Sequence, residues 1–218
     1  MENPNDKPAF LGRITASVTH EIQNVLAIIK ENSGLMEDFL LINQTEDLSD
    51  IEEKLGRCIN SIKKQAYRGV GLTSGLNGFA HITDNTQISV NVLDLVKKLI
   101  SITERLFKQK NVSLSIIESE KPYSIIIDPL LFQMVAFSCI ECLVENFETD
   151  THIAIEIQLL NNLTAIEFLY NDNTLENNSY KEKISHSAQW LKITNLCKQT
   201  NFKVEISTDT PGILIIFK

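Results

Sequence analysis

The sequence predicts an α+β protein in two parts. Residues 8–80 form a long helical hairpin that pairs with a second copy as a dimeric four-helix bundle, and residues 88–218 form an α/β sandwich. Three observations carry this. Apolar residues recur at alternating three- and four-residue steps through the first 80 positions, the pattern of a helical seam. After "HITDNTQ" (residues 81–87) the texture changes to β-branched runs separated by helical stretches. A hairpin alone leaves its apolar stripe half covered, and a homodimer would close it.

The first helix is expected over residues 8–42. Leu11, Val18, Ile22, Val25, Ile29, Met36 and Phe39 face inward, with polar Asn32 interrupting the stripe. "NQTEDLSD" breaks it, and Ser49 or Asp50 is expected to cap the second helix. That helix runs to Ala80 with Leu55, Ile59, Ile62, Ala66, Val70 and Leu76 inward. Beyond the linker, "VNVLDLVKKLISITERLFKQK" reads as a helix and "VSLSIIE" and "YSIIID" as strands. A helix follows from Leu130 to Phe147. "HIAIEIQLL" and "LTAIEFLY" are strands joined at Asn161-Asn162. The polar stretch "NDNTLENNSYKEK" then precedes a helix, "SAQWLKITNLCKQT", and two closing strands, "FKVEIST" and "ILIIFK". Each strand has one apolar face, which the helices would cover in two layers.

Hydrophobic residues at 43% and charged residues at 22% are ordinary for a folded domain with a real core. A formal net charge of -8 argues against a nucleic-acid partner, because little here would neutralise phosphates. No apolar run is read as long enough to span a bilayer. "MENPNDKPAF" lacks a basic segment followed by an apolar one, so no signal peptide is expected and a cytoplasmic location is. Cys139 and Cys142 form a C-x-x-C, "CIEC". On a helix they share one face, no second C-x-x-C exists, and His152 lies beyond a turn. They are expected to pack in the core rather than to bind zinc or cycle redox states.

The stretch "ASVTHEIQNVL" (residues 16–26) brings together His20, Glu21 and Asn24. At about 100° per residue, His20 lies roughly opposite the Val18–Ile22–Val25–Ile29 seam and faces water. Asn24 is one turn further along the same face, and Glu21 is on the flank. An exposed imidazole beside a carboxylate suits a nucleophile: the acid can hold the Nδ1 proton and leave Nε2 free to take a phosphoryl group. The competing reading is a surface histidine with chance neighbours.

In this layout the motif resembles the two-component histidine kinases. "THEIQNVL" matches the family's H-box: His20 falls on the phospho-accepting histidine, Glu21 on the acid that assists proton transfer, and Asn24 on the polar residue used in dephosphorylation. Val25 stands where the family often has Pro. "IIIDPLLFQMVAFSCIECLVENF" follows the pattern of the family's ATP-binding domain: Asp-Pro, then Leu-x-Gln, then an Asn-rich helix. The resemblance covers nearly the whole chain.

The second domain departs from that pattern where nucleotide chemistry would need it. No glycine occurs between Gly78 and Gly212, although close backbone approach to phosphates calls for glycine. "DNTLE", from Asp172 to Glu176, replaces the first glycine motif, and "AQWLK", with Ala188 and Trp190, replaces the second. The family's two helix asparagines become Phe137 and Glu141, the latter at the magnesium-ligand position. Trp190 is expected to fill the vacated cavity, Asp172 to open a loop, and His81, His152 and His186 to be solvated. The domain is therefore read as a degenerate histidine-kinase ATPase-like sandwich that holds no cofactor. The whole resembles the standalone dimeric histidine phosphotransferases, the ChpT-like relay proteins and their sporulation-phosphorelay counterpart. That resemblance implies a phosphoryl group carried on His20 to or from the aspartate of a response-regulator receiver domain, which would itself supply Mg²⁺. Three rivals stay open: an ATP-dependent kinase core with an aberrant lid, a receiver phosphatase in which Asn24 positions water, and a non-catalytic dimeric adaptor.

Overall fold

Two helices open the chain, α1 (Asp6–Leu41) and α2 (Leu48–Ala80). The computed structural model describes residues 6–41, 48–84, 87–117, 123–147, 151–170, 177–198, 200–208 and 210–218. It divides by contact into a hairpin unit, Arg13–Gly78, and a second unit that joins the segment before Arg13 to Phe79–Lys218. The hairpin unit is thus shorter at both ends than the expected 8–80.

The hairpin seam differs from the expected one. On α1, Ile14, Val18, Glu21 and Val25 are buried at four- and three-residue steps, while Ile22 is only half-buried. On α2, Ile51 and Cys58 are buried, and half-buried Leu55, Ile62, Gln65, Gly69, Leu72 and Leu76 continue the same heptad. Ile59 and Val70, expected inward, are 51% and 64% exposed, and Ala66 is exposed too. The reason is close approach. A Cβ at Gly69 would stand 3.3 Å from Val25 Cγ1, so a residue without a side chain sits in the seam and turns Val70 outward. Ser49 and Asp50 fall in the first turn of α2 instead of capping it.

In the second unit a 3₁₀ turn (His81–Asp84) leads to β1 (Ile88–Asn91), which pairs antiparallel with β3 (Ser124–Ile127). β1 begins just after the expected linker and takes in Val90 and Asn91, where a helix was expected to start. Its four residues are strand only because β3 lies alongside. α3 (Val92–Lys108) follows; Asn91 caps it by accepting from Leu93 N at 2.9 Å. Its stripe Val92, Leu95, Val96, Leu99, Ile102 and Phe107 is buried, as an amphipathic helix requires.

The main sheet has five strands: β2 (Val112–Ile117), β4 (Thr151–Leu160), β5 (Leu163–Tyr170), β6 (Phe202–Ile206) and β7 (Gly212–Phe217). Their spatial order is β2-β4-β5-β7-β6, with β2 and β4 parallel and the other pairs antiparallel. Period-two alternation puts Ile153, Ile155, Ile157, Ile166, Phe168, Ile213, Ile215 and Phe217 on the buried face. Asn161 and Asn162 take positive φ at the β4–β5 turn, as does Asn111 after α3, so asparagines supply the left-handed turns in a stretch without glycine. At Gly212 the reason for glycine is contact: a Cβ there would meet the Phe168 carbonyl oxygen at 2.7 Å.

α4 (Pro129–Asn146) fills the space above that sheet face. Asp128 caps it, accepting from Leu131 N at 3.0 Å, with Pro129 in the first turn. Every residue from Pro129 to Leu143 is buried. By length and composition α4 meets the measure of a membrane-crossing helix, contrary to the expectation that no run does; 83% of it lies inside this unit. Its all-round apolarity is explained by neighbours on every side: α3, α5 (Asn177–Ser185), α6 (Ala188–Cys197), β5 and β7. α5 falls largely in the polar stretch to which no element had been assigned. It is pinned by Tyr180 and Ile184, one turn apart and both 0% exposed. Ser187 caps α6, accepting from Trp190 N at 3.1 Å.

Candidate functional site

His20 lies in the middle part of α1 with its side chain exposed, flanked along the helix by buried Val18, Glu21 and Val25. The 100° step per residue explains this: a helix that buries positions 18, 21 and 25 must turn position 20 away. Asn24, one turn on, brings its amide nitrogen to 3.4 Å from His20 Nδ1. Rotation of that amide decides which atom faces the ring. Its oxygen accepts from an Nδ1–H and leaves the Nε2 lone pair available; its NH₂ donates into Nδ1 and keeps the proton on Nε2.

Glu21 departs from its expected place on the flank. It is 4% exposed and occupies a seam position, where Arg68 of α2 donates from Nη2 to its Oε1. Sequence reasoning chose Ile22 for the seam because it is apolar. The structure chooses the carboxylate because a guanidinium reaches across to neutralise it. His20 and Asn24 are therefore brought together at Nδ1, while Glu21 is engaged with Arg68. Arg68 was not anticipated: nothing local in "QAYRGVG" ties it to a residue far back in the chain.

The two helix positions singled out in the sequence, Phe137 and Glu141, lie inside the second unit. Phe137 is 2% exposed; its ring centroid lies 5.5 Å from Phe10 and 5.4 Å from Phe107. Glu141 is buried. Tyr180 is fully enclosed and donates its hydroxyl to the Ser207 carbonyl at 2.5 Å; Trp190, expected to fill a cavity, is only half-buried in the first turn of α6. Residues 172–176, including Asp172, lie outside the described residues.

The thiols behave as core residues. Burial pushes the Cys139 thiol well up from its ordinary value, with Cys197 and Cys142 nearby adding to the shift. Burial also raises Cys142, which Ser187 and Asn146 partly oppose by hydrogen bonding, and it holds Cys197 up to about 12. Such thiols stay protonated and inert. Among the described residues no three His, Cys, Asp or Glu side chains are grouped to hold a metal ion. His81 and His186 are exposed. His152 is half-buried on β4, with Nδ1 3.0 Å from Ser113 Oγ and Nε2 2.8 Å from Ser115 Oγ.

No protein-family model matches the chain, and no curated protein sequence matches it. Solved structures do align with it. The Acinetobacter baumannii histidine kinase AdeS is 8% identical, with a TM-score of 0.48, over 91% of this chain and 97% of that one. Histidine kinase ThkA, in complex with the response regulator protein TrrA, is 14% identical, with a TM-score of 0.48, over 99% of this chain and 63% of that one. A bacterial phosphotransferase is 12% identical, with a TM-score of 0.44, over 95% of both chains. The likeness is one of general architecture, a long helical hairpin before an α/β sheet domain, and nothing about the chemistry of this chain follows from it.

Proposed function

We propose that this protein is a phosphorelay histidine phosphotransferase of two-component signalling. His20 accepts a phosphoryl group from the aspartate of a response-regulator receiver domain, or gives one back, without ATP. The observation that carries this reading is the exposed His20 imidazole with the Asn24 amide at its Nδ1, on a helix whose other face is buried. An imidazole held at one nitrogen and open at the other is a ready acceptor, and phosphoryl transfer depends mostly on in-line positioning. The receiver would supply both the aspartate and Mg²⁺.

Absence of ATP chemistry is part of the proposal. It is supported by the apolar, closed surroundings of Phe137 and Tyr180, and by the lack of glycine between Gly78 and Gly212. Homodimerisation is also part of it. Leu26, Ile59 and Val70 are exposed apolar residues on the hairpin unit, and a second copy would cover them in a four-helix bundle.

The test is a screen of receiver domains charged on aspartate with radiolabelled acetyl phosphate. Label is expected to move from one of them to wild-type protein and not to His20→Ala. Label appearing instead from ATP would restore the kinase reading; no transfer from any receiver would leave the adaptor.

A further inference from the structure

The Glu21–Arg68 pair has an asymmetry that a purely structural ion pair does not need. The Glu21 side chain is 5% exposed, whereas that of Arg68 is 50% exposed. Among the described residues Glu21 is the one partner of the Arg68 guanidinium, which carries five N–H donors. One edge is anchored, and half of the side chain is open to solvent. The anchor is the residue next to His20, and the backbone of α2 is pressed against the same stretch of α1 at Gly69 and Val25. A cation anchored in this way on the residue that follows an exposed imidazole is suited to an oxyanion with several acceptor atoms.

We infer that Arg68 is a phosphoryl-contact residue, with Glu21 as the positioning residue that aims it. This rests on the phosphotransfer reading of His20 and reassigns the carboxylate within it. In the step itself, the Nε2 lone pair of His20 forms the N–P bond. The electron pair of the breaking O–P bond returns to the partner's aspartate carboxylate. The Nδ1 proton stays on the phosphohistidine, hydrogen-bonded to Asn24 Oδ1, until water removes it. The equatorial phosphoryl oxygens carry the negative charge throughout, and Arg68 faces them with unoccupied donors. Electrostatic stabilisation of this kind is the larger part of what a protein offers phosphoryl transfer.

The test uses the full chain and the receiver domain that charges His20 in the screen above, in single-turnover transfer at varied receiver concentration. Arg68→Met is expected to lower the maximal transfer rate by about 10²-fold, the scale of losing one preorganised donor. The receiver concentration giving half-maximal rate should change by less than about threefold, because the contact is made to the moving group. Arg68→Lys should recover part of the rate but not all, since an ammonium lacks the planar fork. Glu21→Gln should lose rate through the same contact, and Glu21→Gln/Arg68→Met should be no slower than Arg68→Met alone. The double variant also removes the risk that a lone buried carboxylate unfolds the hairpin. The inference is overturned if Arg68→Met transfers at the wild-type rate, if its loss lies wholly in receiver concentration, or if the two single losses multiply. His20→Ala separates the levels: with Arg68→Met at full rate and His20→Ala inactive, only the arginine assignment falls. A wild-type chain that takes no label overturns both.

Discussion

Tyr180 is fully buried and donates its hydroxyl to the backbone carbonyl of Ser207 at 2.5 Å, tying the short helix α5 to the end of β6. This one bond shows how the second unit closes over α4. Tyr180→Phe leaves the carbonyl without that donor and should lower stability by roughly 1–3 kcal/mol. Tyr180→Ala adds a cavity and should cost about 3–5 kcal/mol. Urea unfolding followed by circular dichroism measures both, and a Tyr180→Ala protein as stable as wild type would show that α5 is not part of the core.

His20→Ala should leave stability within about 0.5 kcal/mol of wild type, because the side chain is exposed on a helix and alanine favours helix. The same protein should accept no label from a charged receiver. Asn24→Ala should retain acceptance but slow the loss of phosphate to water, read as a longer phosphohistidine lifetime.

Calorimetry with ATP and Mg²⁺ should show no binding heat. Phe137→Asn should not confer it, since Phe10 and Phe107 still pack around that position. A micromolar affinity would return the protein to the kinases.

The unmodified chain should run as a homodimer in light scattering. Val70→Glu should give a folded monomer, because position 70 is already exposed within one hairpin. Val25→Glu should unfold the hairpin, because an unpaired charge in its seam costs several kcal/mol. A well-folded monomeric wild type contradicts the bundle.

Stability should fall in alkali. Cys139 is held protonated in the folded state while the unfolded thiol ionises near its ordinary value of about 8.5. The unfolded chain then binds fewer protons than the native one, so stability is fully present below about pH 8.5 and declines as pH rises above it. For Cys197 the window extends to about 12. Urea midpoints at pH 7.5 and 9.5 should diverge less in Cys139→Ala than in wild type; equal divergence would mean that this thiol is not the cause.

Local pattern by itself determined much. Period-3.5 and period-2 apolar spacing located α1, α2 and most strands, because burying one face is a local demand on each element, and a continuous apolar run located α4. Asn161-Asn162 marked the β4–β5 turn because asparagine tolerates positive φ. His20 and Asn24 were legible because an exposed face is simply the one the apolar stripe avoids. What only the tertiary structure decided is which polar groups go inside. Glu21 entered the seam, in place of Ile22, because Arg68 arrives from the other helix to neutralise it. Gly69 displaced Val70 because Val25 comes within contact there. β1 is a strand because β3 lies beside it, and Tyr180 is enclosed because α4 and β6 close around it. Each of these depends on a partner distant in the chain, and the energy of a buried charge or an unpaired strand is set by that partner rather than by its neighbours in sequence.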